Sequence, residues 1–142
     1  MIDDPEPGYW GGLVLNGLAP INNGPNAYGE SGIWAYGGAD AGDNSGSLCY
    51  VRVEYAGKMI GTDNEMNAFS FMACGARTEL NHLQAYMCVD DGFEFFGGTD
   101  SLRYAVSTGY GDDGFNWQHG WVGNGQFWLV EAGGITSHRG RN

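Results

Sequence analysis

The sequence predicts an all-β domain, and within that class a right-handed parallel β-helix with coils of about 22 residues. Three observations lead there: an internal repeat, an excess of glycine combined with aromatics, and short runs of strand-forming residues. The repeat is the strongest. Thr78-Glu79-Leu80-Asn81-His82-Leu83 precedes Asp90-Asp91-Gly92-Phe93, and Thr99-Asp100-Ser101-Leu102-Arg103-Tyr104 precedes Asp112-Asp113-Gly114-Phe115. Leu80 to Leu102 and Asp91 to Asp113 are both 22 residues. Two strand signals per period suit one coil of a solenoid.

A looser copy precedes these two. Leu48 to Gly57 resembles the stretch from Leu80, and Asp63-Asn64-Glu65-Met66-Asn67-Ala68-Phe69 is aligned with Asp-Asp-Gly-Phe. A partial copy follows at Gly125 to Gly133. Glycine accounts for 26 of 142 residues and aromatics for 14%, which describes many tight turns between packed strands rather than a disordered chain. The runs are short and rich in Val, Tyr, Phe and Trp. Glycines punctuate them, as turns with positive φ would require. The alternative fold is a β-sandwich, which would need antiparallel hairpins instead of an in-register repeat.

Stacking the coils puts Phe93 under Phe115 and Phe95 under Trp117, all facing the core, with Met66 continuing the Phe93 ladder. Glu94 and Asn116 take the opposite parity and are expected in solvent. The chain reads as one domain, 1–142, with a cap or tail at 1–9 and a polar tail at 135–142.

Charge narrows the function. With six Lys and Arg against 17 Asp and Glu, the net charge is −11. Nucleic acid is excluded as a partner, because phosphates need a basic surface. Anionic membrane surfaces are excluded on the same ground, and no apolar run is long enough for membrane insertion. Divalent cations and glycans fit better. The start, Met1-Ile2-Asp3-Asp4-Pro5, lacks the basic n-region of a signal peptide, so a cytoplasmic location stays open. Cys49, Cys74 and Cys88 have neither zinc-site spacing nor a framework count, and read as buried thiols, with a Cys74–Cys88 bridge as the alternative.

The motif series resembles a group of secreted or surface-attached bacterial proteins, common in marine species and many of them lipoproteins. The carrying residues are Trp10-Gly11-Gly12-Leu13-Val14-Leu15-Asn16-Gly17, Tyr36-Gly37-Gly38 with Asp43-Asn44-Ser45-Gly46, Tyr50 to Gly57, Asp90 to Gly98, and Trp117-Gln118-His119-Gly120-Trp121. The resemblance implies a β-helix-like fold and an extracellular or cell-surface location. This chain lacks the leader of that group and stops soon after Val130, which reads as a short stand-alone form.

Two constellations could carry chemistry. Asp90, Asp91, Glu94, Asp112 and Asp113 form an acidic ladder, with Asp63 and Glu65 a rung away. Calcium would relieve their repulsion, since it takes six to eight oxygens; alternatively the Asp residues simply bond turn backbone. Carboxylates flanked by Tyr86, Tyr110 and Trp121 could bind a glycan or act on one as acid and base, with Arg52 and Arg103 at nearly equivalent positions. His119, between two tryptophans, reads as structural, and no His-x-x-x-His, Gly-x-Ser-x-Gly or phosphate loop occurs. The expected function is a non-catalytic binding or display module. The alternative is a carbohydrate-active enzyme, a polysaccharide lyase or glycoside hydrolase. The apolar run Phe127-Trp128-Leu129-Val130 at an open rung predicts a homo-oligomer joined through the C-terminal rungs.

Overall fold

A computed structural model of the chain describes residues 4–62 and 64–133. Asp63, the first three residues of the expected N-terminal cap and the 135–142 tail lie outside the described residues. Each coil contributes one long and one short strand. The long strands are β4 (Ser47–Glu54), β8 (Glu79–Tyr86), β10 (Ser101–Thr108) and β12 (Gly125–Glu131). They form a parallel sheet in the order β4-β8-β10-β12. The short strands are β1 (Leu13–Asn16), β7 (Phe69–Met72), β9 (Phe93–Phe96) and β11 (Phe115–Gln118), and they form the second parallel sheet in that order. Two antiparallel hairpins are inserted: β2 (Ala27–Tyr28) with β3 (Ala35–Tyr36), and β5 (Met59–Gly61) with β6 (Asn64–Glu65). The architecture is a parallel β-helix, and the sandwich alternative falls because both main sheets are parallel.

The register matches the repeat: Leu48, Leu80 and Leu102 are paired across three strands, and Phe93 pairs with Phe115. The two sheets face each other across one core. Leu80, Leu83, Ala85, Leu102 and Ala105 of the long strands meet Phe69, Phe71, Phe93 and Phe95 of the short ones. Stacked phenylalanines repeat at the strand spacing: Phe69 to Phe93 is 4.8 Å between ring centroids and Phe93 to Phe115 is 4.9 Å.

Several expectations are corrected here. The residue under Phe93 is Phe69, not Met66, because Asn67-Ala68-Phe69 is the true counterpart of Asp91-Gly92-Phe93. The β5–β6 hairpin brings Glu65 and displaces the alignment. Trp117 pairs with Phe95 but is more than half exposed, since Trp121 covers Phe95 instead at 4.6 Å. The glycine of Asp-Asp-Gly serves close approach rather than positive φ: a Cβ on Gly92 would lie 2.1 Å from Ser107 Oγ. Cys74 and Cys88 are buried and free, which removes the bridge, and Cys49 is exposed.

At the N-terminal end, Gly8 and Tyr9 donate main-chain hydrogen bonds to Ala56 and Tyr55. Trp10 Nε1 donates to the Glu54 carbonyl at 2.9 Å. Residues 8–10 thus lie along the corner that follows β4.

Candidate functional site

The outer face of the short-strand sheet would be solvated in a bare solenoid. Here the β2–β3 hairpin lies over it. A small second core of Tyr36, Met72, Ala73 and Phe96, with Ile21 and Ala27 against it, holds the hairpin down. Gly29 permits this closeness, because a Cβ there would lie 2.6 Å from Met72 Sδ. The Tyr36 hydroxyl and His119 Nδ1 share a 2.7 Å hydrogen bond. Burial holds His119 below its ordinary pKa, and burial together with the charges of Glu94 and Glu30 raises Tyr36 to about 12.

The cover traps a polar network. Asn67, wholly buried, is at its centre. Its Nδ2 donates to Glu94 Oε2 at 2.5 Å and to Glu30 Oε2 at 3.2 Å, Glu30 belonging to the hairpin loop. Gln118 Nε2 donates to Glu94 Oε1 at 2.6 Å. Asn116 Nδ2 donates to Asp91 Oδ2 at 2.9 Å, and the Asp113 main-chain N–H donates to Asp91 Oδ1 at 2.9 Å. Six polar side chains from three coils and the hairpin therefore form one network, in which Asn67, Asn116 and Gln118 donate to the two glutamates.

Burial sets their protonation. Glu94 is pushed up to about 8, by burial first and then by the charges of Glu30 and Asp91. Glu30 is pushed to about 7, by burial and then by Asp90 and Asp91. Asp91 rises only to about 6, because Asn116 and the Asp113 N–H stabilise its anion against burial. Near neutral pH the network holds at least one proton between two carboxyl groups joined through one amide. Such a pair can give and take a proton.

This corrects the expectation for Glu94. Its parity is outward, yet it is 4% exposed, because the hairpin covers that face. Glu94→Ala would leave the Asn67 and Gln118 donors short of an acceptor. It should cost about 1–3 kcal/mol, while Glu94→Gln, which keeps an acceptor oxygen, should cost less. Urea melts of the two variants check this ordering.

Beside the covered network lies an open groove of about 500 Å³. Val14 and Asn16 of β1 and Met72 of β7 form its floor, and Gly29, Ser31, Ile33, Trp34 and Ala35 of the hairpin form its wall. Trp34 is 70% exposed.

A family model described as a pectate-lyase like beta helix domain matches residues 2–141. The chain belongs to this family. No curated protein and no solved structure matches it.

The pectate-lyase-like domain distributes the sequence-predicted residues unevenly. One carboxylate oxygen from each of Asp90, Asp91 and Asp112 lies within 4.8 Å of the others, an arrangement that could hold a metal ion. Asp91 is buried and already accepts two hydrogen bonds. Glu94 belongs to the covered network, and Asp113 contributes its main-chain N–H to Asp91. Tyr86 is at the end of β8, with the Arg52 guanidinium 4.5 Å from its ring centroid and Tyr55 edge-on at 5.8 Å. Tyr110 and Trp121 instead pack, partly buried, against the main core. Arg52 is level with Gln84 and Val106, whereas Arg103 is level with Asn81 and Cys49, so the two arginines are not equivalent. Arg52 pairs with Glu54, while Arg103 lies over the Tyr104 and Phe127 rings.

Sequence reasoning missed Glu30, Asn67, Gln118 and Trp34. A signal existed for Asn67, which stands where the next coil has Asp91. Glu30 and Trp34 come from an insertion outside the repeat, where periodicity carries no information.

Proposed function

We propose that this domain is a non-catalytic glycan-binding module, secreted or displayed at the cell surface, with its site in the groove between β1 and the β2–β3 hairpin. The observation that carries the reading is Trp34, a largely exposed indole on the wall of a concave site. A pyranose ring presents an apolar face of C–H groups, which packs well on such a surface. Asn16 and Ser31 supply the few polar groups that fix a sugar's orientation in a largely apolar site. The acidic surface favours neutral glycans. The location follows the resemblance to surface-attached bacterial proteins. Calcium, held by Asp90, Asp91 and Asp112, would stabilise the turns beneath.

Calorimetric titration against a panel of polysaccharides, with calcium and again with chelator, tests this. A bound polysaccharide should lose at least tenfold in affinity with Trp34→Ala, equal to about 1.4 kcal/mol, and be unaffected by Glu94→Gln. Equal binding by Trp34→Ala would remove the groove from the reading.

The second reading is a carbohydrate-active enzyme that uses Glu30 and Glu94. It is favoured by one observation, that both carboxyl groups share Asn67 Nδ2 and are held near neutral pKa. Against it, Glu94 and Asn67 are covered by the hairpin and buried. Release of new chain ends that Glu94→Gln abolishes would reverse the preference.

A further inference from the structure

Every long strand holds one non-glycine residue in the left-handed region: Tyr50 at φ 56°, His82 at 52°, Tyr104 at 57° and Phe127 at 60°. For bulky residues this conformation is strained, and its recurrence on four successive strands marks a built feature. The left-handed residue breaks the in–out alternation. Leu80 and Leu83 both face the core, and Asn81 and His82 between them face outward. The four rings therefore leave the sheet at the same level and stack: 4.4 Å from Tyr50 to His82, 4.6 Å to Tyr104 and 4.8 Å to Phe127. They make a ridge across the whole long-strand sheet. Alongside runs a groove of about 340 Å³, bounded by His82, Tyr104 and Phe127 on the ridge side and by Gln84, Val106 and Leu129 on the other. Tyr50, Tyr104, Phe127 and Leu129 are all exposed.

We propose that this face binds a second copy of the chain about a two-fold axis, each ridge seated in the partner's groove. A ridge and a parallel groove side by side are self-complementary under a two-fold, which a single bound peptide or glycan would not require. The charges agree. Arg103 lies over Tyr104 and Phe127 and is in neither ion pair seen among the described residues. Glu79 and Glu131 occupy outward positions on the same sheet. A face with both signs can pair with itself even in a chain of net charge −11. Four strands about 4.8 Å apart and about eight residues long offer roughly 500 Å² per copy. The pair would bury about 1,000 Å², the lower end for a specific interface, so the dimer is weak and concentration-dependent. This surface is on the sheet opposite the Trp34 groove and does not depend on the glycan reading.

Sedimentation velocity of the full chain across the micromolar range tests the proposal. The mass should rise toward twice that of the chain. Tyr104→Glu and Leu129→Glu should each hold it at the monomer while circular dichroism shows an unchanged thermal transition. A wild-type chain that stays monomeric throughout overturns the proposal. So does a dimer that survives both changes but is lost with Val130→Asp, which moves the contact to the β12 edge expected from the sequence. A monomer retained on polysaccharide only when Tyr104 is intact also overturns it, making the ridge a glycan contact.

Discussion

Phe93→Ala should lower the stability of the domain by about 3–5 kcal/mol, seen as a large fall in the urea midpoint. The side chain is wholly buried and is the middle ring of a stack. Phe69 lies below it at 4.8 Å with its ring nearly parallel, Phe115 lies above at 4.9 Å, and Trp128 covers Phe115 at 4.3 Å. Truncation empties a site whose walls are rings fixed by backbone pairing on both sides, so collapse into the gap is limited. For a domain with a total stability of about 5–15 kcal/mol this is a large share. Phe115→Ala should cost less, because Phe115 is only partly buried on the last strand of its sheet. The sequence alone gave the two positions equal weight. A larger loss at Phe115 than at Phe93 would show that the stack is organised from its C-terminal end.

The second large effect concerns Asp100. Its side chain is wholly buried, and among the described residues neither carboxyl oxygen has a well-formed hydrogen-bond partner; the weaker help of its own main-chain N–H and of Trp121 does not offset burial. Trp121 Nε1 donates to the Asp100 main-chain carbonyl, at 3.2 Å. Burial pushes the carboxyl up to about 7, so the folded state binds this proton more tightly than the unfolded chain does. The sign follows from that. The group's contribution is fully present below the unfolded pKa near 4, and it is lost as pH rises through the folded value. About three pH units at about 1.4 kcal/mol each amount to roughly 4 kcal/mol. The melting temperature should therefore fall from pH 4 to pH 7. Glu94, with a folded pKa near 8, extends the slope upward. General repulsion in an acidic chain acts in the same direction, so the comparison with Asp100→Asn isolates this site. That variant should show a shallower slope and melt higher than wild type at pH 8. Parallel slopes for the two proteins would place the proton elsewhere.

The sequence exposed what repeats and hid what is inserted. The Leu80–Leu102 and Asp91–Asp113 registers were legible because identical residues recur where identical backbone is needed. Gly92 recurs as Gly114 in such a turn. Glu94 shows the limit: alternation placed it on the correct face, but exposure depends on a hairpin some 60 residues earlier in the chain. Nothing local to Phe93-Glu94-Phe95 records that cover. Tyr50, His82, Tyr104 and Phe127 were missed for a different reason. They follow Leu48, Leu80, Leu102 and Gly125 by two residues, so strict alternation assigns them inward. One left-handed residue per strand overrides that rule.

The in-register corners give this architecture a natural unit of growth. Leu80 to Ser101 begins and ends at equivalent points of successive coils. A tandem duplication of that segment would present each neighbour with the surface it already meets. The rod would lengthen by about 4.8 Å, while its two termini and the inserted hairpins stayed as they are. Substitutions within a rung must satisfy the rungs above and below, whereas a whole added rung brings its own neighbours. Gene segments coding for such a coil can therefore be gained or lost in descent with less disruption than point changes in the stacked rings, and variation in length is the change this fold accepts most readily.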